Sequence, residues 1–497
     1  MKKTVLFILV VTCMLFSVSS VFASDINDTA VADEESNLIA ENNIDDLESA
    51  SNDENQPVGD GDDGSFTALQ LKISLAGEGS EINLTRDYKY NNDLNLTTGV
   101  FINKDITING NDHTIDGAGK SRIFIINYGN LLKQYKVTLK NINFKNGAAI
   151  IYGGAILNFA DLTIDKCSFS NNNAGTAGGA INSLGALTLK NSKFDKNSAG
   201  GDAGAVFSLT FKKSFDFYRN YFAGKPITED TNLLLTIAMQ SLLEHGKDTI
   251  TNCVFTNNIA NGRGGGAVYA FSHIDINSCT FTSNKAGEKG AGVFGCKDLF
   301  IKNSKFNKNQ VGMYGGAVYF KCHEQSGHYE NGKWVSNLTY YTNSITGSTF
   351  ANNVAGERGG AIYGFRASDS DTVHCAKAVK CTFSDNKAPK GKDIYGGTAK
   401  NCVYKNTKIT LKTVTVKKSA KKLTLQATLK KGSSPLKSKS VTFKFNGKTY
   451  KAKTNSKGIA KVTIKQNILK KLKVGKIVTY LAKYSSFTAK KTAKVKK

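Results

Sequence analysis

Short stretches of apolar–polar alternation recur along residues 65–406, and segments rich in Asn and Gly separate them. The stretch "ALTLKNSKF" (residues 186–194) is typical, because Leu187 and Leu189 alternate with polar residues ahead of Phe194. Such alternation is the mark of a strand with one buried face, and the Asn–Gly segments are turn signals. The repeating stretches show no helical period. The pattern therefore predicts many short strands joined by tight corners.

These strands repeat with a period near 25 residues. Eight phenylalanines end one alternation each, and their spacings are 25, 25, 61, 26, 25, 44 and 33 residues. They are Phe144, Phe169, Phe194, Phe255, Phe281, Phe306, Phe350 and Phe383. A fixed period with three strands and three turns predicts one coil of a parallel β-helix per repeat, with roughly ten or eleven coils in all. The expected fold class is all-β.

Two further signatures follow each phenylalanine. Asn stands three residues later in seven of the eight cases: Asn172, Asn197, Asn258, Asn284, Asn309, Asn353 and Asn386. A glycine pair then precedes Ala-Ile or Ala-Val, as in Gly178-Gly179, Gly315-Gly316 and Gly359-Gly360. We expect the rings to stack inside the helix and Asn to turn the corner, where it tolerates left-handed backbone. The glycines would permit positive φ and close approach of successive turns. A phosphate-binding loop is the alternative, but no helix N-terminus follows the glycines.

The paired signatures F-x-x-N and G-G-A-[IV] resemble the repeats of chlamydial polymorphic outer-membrane proteins. They resemble even more the adhesin-like surface proteins of methanogenic archaea. The resemblance extends from about Ser65 to Asn406, and the segment Asp105–Ile126 looks like the first coils of such right-handed β-helices. It implies a right-handed, pectate-lyase-like solenoid. The fold hosts both adhesins and polysaccharide-degrading enzymes, so function needs separate evidence.

Two insertions interrupt the period. The first contains Thr231–Gly246, whose Leu, Ile and Met spacing predicts a short amphipathic helix packed on the solenoid. The second, roughly Lys321–Ser344, reads as an aromatic loop. Its candidate contact residues for a carbohydrate or protein partner are Trp334, Tyr340 and Tyr341, because exposed aromatics on loops favour recognition.

A metal site in the second insertion is the weaker alternative. Cys322, His323 and His328 fit no common zinc spacing. We expect no metal and no cofactor.

Five cysteines stand two residues before a ladder aromatic: Cys167, Cys253, Cys279, Cys381 and Cys402. Residues two apart on a strand face the same side, so these side chains point inward. Stacked cysteines have poor geometry for a disulfide, which favours free buried thiols. Disulfides remain the alternative, since the chain has the start of an exported protein and eight cysteines beyond Cys13.

The two ends of the chain carry opposite charge. Residues 1–23 have two lysines, an apolar run and a small-residue exit, which predicts a cleaved signal peptide and no transmembrane helix in the mature chain. Residues 24–64 predict a disordered acidic leader, with 14 Asp or Glu and no Lys or Arg.

Residues 407–497 hold 27 lysines and no Arg, Asp or Glu, against a net charge of +26 for the whole chain. They read as about seven short strands with an Asn446-Gly447 hairpin, which predicts an Ig-like β-sandwich. Such a single-sign field attracts polyanions. We expect an anionic cell-wall polymer or surface rather than nucleic acid, because the chain is predicted to be exported and lacks a basic–aromatic readout pattern.

Two hypotheses of function remain. The first is a secreted, wall-associated surface protein, an adhesin-like β-helix that displays loops to a partner and has no enzyme activity. The second is a polysaccharide lyase or hydrolase on the same scaffold, which would need clustered carboxylates. Acids within the repeats are scattered, and only Asp369 and Asp371 fall close together in a loop-like stretch.

Overall fold

The structure is a computed structural model that describes residues 62–91, 96, 98–128, 133–212, 244–245, 247–330, 333–366, 375–405, 407–431, 434–484 and 487–497. The predicted signal peptide, nearly all of the acidic leader, Asp369 and Asp371 lie outside the described residues, as does the predicted helix Thr231–Gly246 except for Glu244 and His245. The chain divides into two compact units after Asp298.

The first unit is a parallel β-helix closed at its start by helix α1, Phe66–Leu75. Ser65 caps this helix by accepting a hydrogen bond from the Ala68 N–H at 3.0 Å. The helix buries Phe66, Leu69 and Ile73. It was not predicted from the sequence, because "FTALQLKISL" places apolar residues at alternating as well as helical spacing.

Four parallel sheets run through the first unit; sheets 1 to 3 take one strand from every coil, and sheet 4 takes one from each coil after the first two. Sheet 1 contains Glu81–Asn83, Ile106–Asn109, Lys136–Lys140, Asp161–Asp165, Leu187–Lys190, Lys247–Thr251 and His273–Asn277. Sheet 2 contains Val100–Ile102, Phe124–Ile126, Ile156–Asn158, Ile181–Ser183, Val206–Ser208, Val268–Ala270 and Val293–Gly295. Sheet 3 contains Tyr88–Lys89, Thr114–Asp116, Asn143–Lys145, Ser168–Ser170, Lys193–Asp195, Val254–Thr256 and Thr280–Thr282. Sheet 4 contains Ala148–Ala149, Asn173–Ala174, Ser198–Ala199, Ile259–Ala260 and Lys285–Ala286. The two-residue strands Phe211–Lys212 and Glu244–His245 pair antiparallel beside them.

The second unit continues the same strand types. Sheet 1 strands are Leu299–Lys302, Asn343–Thr346, Ala376–Val379 and Gly397–Lys400, and sheet 2 strands are Val318–Lys321, Ile362–Phe365 and Ile394–Tyr395. Sheet 3 strands are Lys305–Asn307, Thr349–Ala351, Thr382–Ser384 and Val403–Tyr404, and sheet 4 strands are Gln310–Val311 and Val354–Ala355. The all-β, right-handed parallel β-helix is thus confirmed. A coil has four strand positions rather than the predicted three, because the residue pair after each corner Asn is also extended.

Stacked phenylalanines fill the interior of each unit. In the first unit the ring centroids of Phe144, Phe169, Phe194, Phe255 and Phe281 lie 4.6–4.9 Å apart with interplanar angles of 1–11°. In the second unit Phe306, Phe350, Phe383 and Tyr404 stack at 4.9–5.4 Å. Aromatic pairs contribute about 0.5–1.5 kcal/mol each beyond the area they bury. The repeat thus places the same large side chain at the same depth in successive coils.

A chain of buried amides lies beside the rings. The side chain of Asn258 accepts hydrogen bonds at Oδ1 from the backbone N–H and the Nδ2 of Asn197, at 3.1 and 3.0 Å. Its own Nδ2 donates to the carbonyl of Phe194 at 3.0 Å and to Asn284 Oδ1 at 2.9 Å. The same bonds link Asn172 to Asn197 in this unit. Each amide therefore makes hydrogen bonds to polar groups that would otherwise be buried without a partner.

From the sequence, the left-handed backbone at this corner was predicted at the ladder asparagine, and this is wrong. The left-handed residue is the one before the corner position, with φ between 51° and 56° at Asn146, Asn171, Lys196, Asn257, Ser283, Lys308, Asn352 and Asp385. The reason is geometric: the ladder Asn must direct its amide inward, and the preceding residue makes the turn.

The glycine pair has two separate roles. Gly178 has φ +68°, in the left-handed region that favours glycine. Gly179 has no such φ, but a Cβ there would lie 2.2 Å from the carbonyl oxygen of Gly204 in the next coil. The first glycine turns the chain, and the second lets neighbouring coils approach.

The eight described cysteines are free thiols, and all but Cys402 are buried. Burial raises the pKa of Cys167 to about 12. A hydrogen bond from the Cys381 thiol lowers the pKa of Cys402 to about 7. Seven of these eight thiols are therefore shielded from solvent, in line with the structural interpretation of the inward-facing position.

The second unit ends in two facing antiparallel-rich sheets. One contains Thr407–Leu411, Lys422–Lys431, Ser434–Pro435 and Ile459–Lys465, and the other contains Val416–Lys417, Ser440–Phe445, Lys448–Lys453, Ile477–Tyr484 and Phe487–Lys496. Helix α2, Gln466–Leu469, follows the first. Side chains from both sheets, including Leu425, Phe443 and Tyr480, share one core. Asn446 and Gly447 turn the predicted hairpin with φ of 45° and 75°. This is a β-sandwich, and its Ig-like assignment stays a prediction.

The amide ladder generates the first testable prediction. Asn258→Ala leaves the Asn197 N–H, the Asn197 amide and the Phe194 carbonyl without their buried partner, so we expect a loss of about 3 kcal/mol of unfolding free energy. Urea unfolding of the full chain, followed by circular dichroism, measures it. Asn261→Ala, at an exposed asparagine of the same coil, is the control and should change little. Equal unfolding curves for the two variants would contradict a structural role of the ladder.

Candidate interaction surfaces

The insertions leave the β-helix at one position of the coil. In the first unit the chain departs after the sheet 2 strand Val206–Ser208 and returns at the sheet 1 strand Lys247–Thr251. In the second unit it departs after Val318–Lys321 and returns at Asn343–Thr346. Residues 367–374 separate Ile362–Phe365 from Ala376–Val379 in the same way. The long insertions among the described strands therefore fall between sheets 2 and 1, and the other connections differ by at most a few residues from coil to coil.

The second insertion is a β-hairpin rather than the expected loop. His323–Glu330 and Lys333–Tyr340 pair antiparallel over eight residues each, with Tyr329 opposite Trp334. The sequence contains a signal for this hairpin, because Asn331-Gly332 between two alternating stretches is a strong hairpin signal.

The three candidate contact residues differ in their placement. Tyr340 is 40% exposed, and Leu338, on the same face of its strand, is 43% exposed. Tyr341 is buried, and its hydroxyl donates to Glu324. Tyr341 therefore supports the base of the hairpin instead of facing a partner. The Trp334 side chain lies outside the described residues.

An apolar surface surrounds the base of the hairpin. His323 pairs with Tyr340 across the hairpin and stacks on Phe365 at 5.0 Å. Phe365 is itself 37% exposed. We call Leu338, Tyr340 and Phe365 the hairpin patch. Exposed apolar groups of this kind, flanked by polar strands, are typical of interaction sites.

Two of the three residues considered as metal ligands have described side chains. Cys322 and His323 are buried, and the side chain of His328 lies outside the described residues. Within the described part of the chain, no group of three or more His, Cys, Asp or Glu is placed to hold a metal ion.

One buried acid, Asp248, was not among the residues predicted from the sequence. It faces the interior at the strand where the chain returns from the first insertion, and it is 1% exposed. Its carboxylate accepts hydrogen bonds from the Leu187 N–H at 2.9 Å and Thr210 Oγ1 at 2.7 Å, and from Ser208 and Ser272. Desolvation raises its pKa despite these donors. With four hydrogen bonds and no solvent access, Asp248 is a structural acid.

Asn343 is the natural counterpart of Asp248. It begins the strand that follows the hairpin, and its Oδ1 accepts from the Leu299 N–H at 3.0 Å. An amide thus makes in the second unit the bond that a carboxylate makes in the first.

The outer faces of the sandwich are built from lysine and threonine. Exposed lysines on the five-stranded sheet are Lys417, Lys444, Lys448, Lys451, Lys453, Lys483, Lys490, Lys494 and Lys496. Those on the other sheet are Lys408, Lys422, Lys430, Lys461 and Lys465. Register places Lys444 beside Leu481 and Lys483 beside Thr442 and Thr488. Because residues 407–497 contain no acid, no carboxylate from them neutralises either face.

Comparison with known proteins supports the repeat interpretation. The Chlamydia polymorphic membrane protein (Chlamydia_PMP) repeat matches residues 347–364. That stretch holds Phe350, Asn353 and the pair Gly359-Gly360, so the match falls on the ladder and glycine signatures of one coil. No curated protein matches the chain. The repeat and the parallel sheets together fit a β-helix adhesin-like surface protein. Neither of the helices among the described residues has the length and hydropathy needed to cross a membrane.

Asp248 generates a prediction about pH. Its folded pKa lies above its unfolded value near about 4, so the stability linked to its protonation is complete below that pH and is lost as the pH rises. Asp248→Asn, which copies the amide of Asn343, should therefore gain stability relative to the native chain as the pH is raised from about 4 to about 7. Melting temperatures across this range measure the difference. Asp275→Asn, on the neighbouring strand and 38% exposed, is the control. Parallel curves for the native chain and Asp248→Asn would contradict the assignment.

Proposed function

We propose that the chain is an exported cell-surface adhesin-like protein whose β-helix presents the insertions to a carbohydrate or protein partner. The predicted signal peptide, the repeat match and the concentration of insertions at one corner support this. A scaffold whose long insertions fall at one corner is suited to display, because loops can change there without altering the ladders. The similarity to adhesin-like proteins of methanogenic archaea belongs to the same proposal.

The C-terminal sandwich associates with an anionic cell wall or surface in this proposal. The observation that carries it is the lysine–threonine composition of both outer faces without one carboxylate. A field of one sign over both faces attracts a polymer of the opposite sign, and the attraction weakens as salt screens it. A wall polymer suits an exported protein better than nucleic acid does.

Sedimentation of the full-length protein with wall fragments tests the wall association. We expect binding at low salt that falls steeply as ionic strength rises. Gln at Lys444, Lys483, Lys490, Lys494 and Lys496 should lower the bound fraction about ten-fold or more, since each exposed charge adds to the attraction. The control carries Gln at five exposed β-helix lysines: Lys136, Lys190, Lys285, Lys302 and Lys305. An equal loss of binding in both variants would mean that the net charge of the protein, and not the sandwich surface, causes the binding. Binding that survives high salt would indicate specific recognition.

The hairpin patch is the proposed contact surface of the β-helix. On a panel of polysaccharides and host-surface glycoproteins, we expect Leu338→Ser with Tyr340→Ser to weaken binding about ten-fold or more, as loss of an exposed apolar anchor does. Leu71→Ser with Leu75→Ser, at exposed leucines of α1, is the control. The same polysaccharide samples are assayed for new reducing or unsaturated ends. Their appearance would favour a lyase or hydrolase over the adhesin.

A further inference from the structure

One carboxylate in the last coil of the β-helix lacks the hydrogen bonds that a buried acid needs. Asp393 is 3% exposed. Its Oδ1 accepts from Asn386 Nδ2 at 2.9 Å, in the position where the preceding rungs place another asparagine. Its Oδ2 is buried, and apart from the contact with Lys431 described below it receives no hydrogen bond from the described residues. An ionised carboxylate with a bare oxygen in such a place is strongly disfavoured.

A lysine from the sandwich reaches this oxygen. Lys431 ends the strand Lys422–Lys431, and its side chain is 18% exposed. Its Nζ contacts Asp393 Oδ2 and lies 4.2 Å from the ring centroid of Tyr404, the last member of the aromatic stack. The amine, the carboxyl group and the aromatic ring therefore form one enclosed cluster.

This enclosure favours the neutral forms of both groups. Burial, with a smaller contribution from the nearby charge of Lys392, lowers the pKa of Lys431 to about 8. A proton passed from the ammonium to the carboxylate leaves an amine and a carboxylic acid in contact, which removes two buried charges. A neutral amine is a nucleophile, and an acid whose carbonyl oxygen accepts a hydrogen bond is a better electrophile.

We propose that Lys431 and Asp393 are joined by an isopeptide bond that the folded chain forms on itself. The lone pair of Nζ attacks Asp393 Cγ, and the negative charge develops on Oδ1, where Asn386 Nδ2 donates. The Nζ–Cγ bond forms and the Cγ–Oδ2 bond breaks. Oδ2 leaves as water with the acid proton and one proton from the amine, so neither an oxidant nor a cofactor is consumed.

The isopeptide bond removes the carboxylate oxygen that lacks a hydrogen-bond donor. The oxygen without a donor is the one that departs, and Oδ1 keeps its bond from Asn386. The bond would fix the last coil of the β-helix covalently to the strand Lys422–Lys431 of the sandwich. Such a cross-link suits a surface protein that must keep its binding part attached to its anchoring part.

Tryptic mass spectrometry of the denatured full-length protein tests the bond. Cleavage after Lys392, Lys400, Lys430 and Lys437 would release residues 393–400 joined to residues 431–437, with no cleavage after Lys431. The joined species should weigh about 18 Da less than the two peptides together, and its fragment ions should place the link at Asp393 and Lys431.

Three variants control the experiment. Lys431→Arg keeps the positive charge but cannot form the amide, and Asp393→Ala removes the acyl group; both should yield the peptides unlinked. Lys430→Met, at the exposed neighbour, should retain the link. Circular dichroism verifies that each variant folds. If Asp393→Ala does not fold, Lys431→Arg alone tests whether the bond needs the lysine. Recovery of residues 393–400 as a linear peptide in full yield from the native, folded protein would overturn the proposal.

Discussion

The architecture of each unit depends on a buried hydrogen-bond chain, in which corner asparagines bond to the equivalent residues of the next coil. An amide at this place has two N–H donors and an acceptor oxygen, so it can donate to a backbone carbonyl and to the next amide while it accepts from the previous one. A hydroxyl has a single proton to donate and a carboxylate has none, so neither can repeat this pattern. The bonds hold only if every coil returns to the same register. A spacing of 61 residues between Phe194 and Phe255 therefore still pairs the two rings directly, as a spacing of 25 does. Extra length is accepted only where it does not move the ladder.

This constraint explains where the chain varies. Each insertion lies between sheets 2 and 1, away from the ladder corner, and each of the two long ones is followed by a polar inward residue. Asp248 and Asn343 accept the N–H of the preceding strand at the point of return. A leucine at either place could not accept that bond. Polar residues in the core thus mark the ends of insertions rather than a catalytic centre, and the exposed hairpin patch lies on the part of the coil that is free to change.

The sequence was sufficient for the fold because the repeat reports each constraint several times. Eight phenylalanines and seven asparagines in register leave one solution, a solenoid with those residues inside. Features that occur only once were harder to predict from the sequence. Helix α1 shows alternating as well as helical spacing, and the hairpin was not predicted because its Asn331-Gly332 sequence signal lies among residues interpreted as an aromatic loop. Asp248 looked like one more scattered acid, since its burial follows from the register of Leu187 with the strand after the insertion. The prediction that Tyr341 contacts a partner is wrong, because composition does not reveal which of two adjacent tyrosines turns inward.

The end of the second unit shows how the ladders terminate. An asparagine in the last position would leave its own donors unbonded, and Asp393 instead supplies an acceptor to Asn386 without requiring another rung. Tyr404 likewise closes the aromatic stack with a ring that tolerates one polar neighbour. Both terminal groups contact Lys431, so one lysine of the sandwich meets the ends of both ladders. The C-terminal module therefore has two faces of different chemistry. Its outer sheets are lysine-rich and free of acids, whereas at the junction a single lysine is matched to a single buried acid, which makes that lysine part of the core and not of the charged surface.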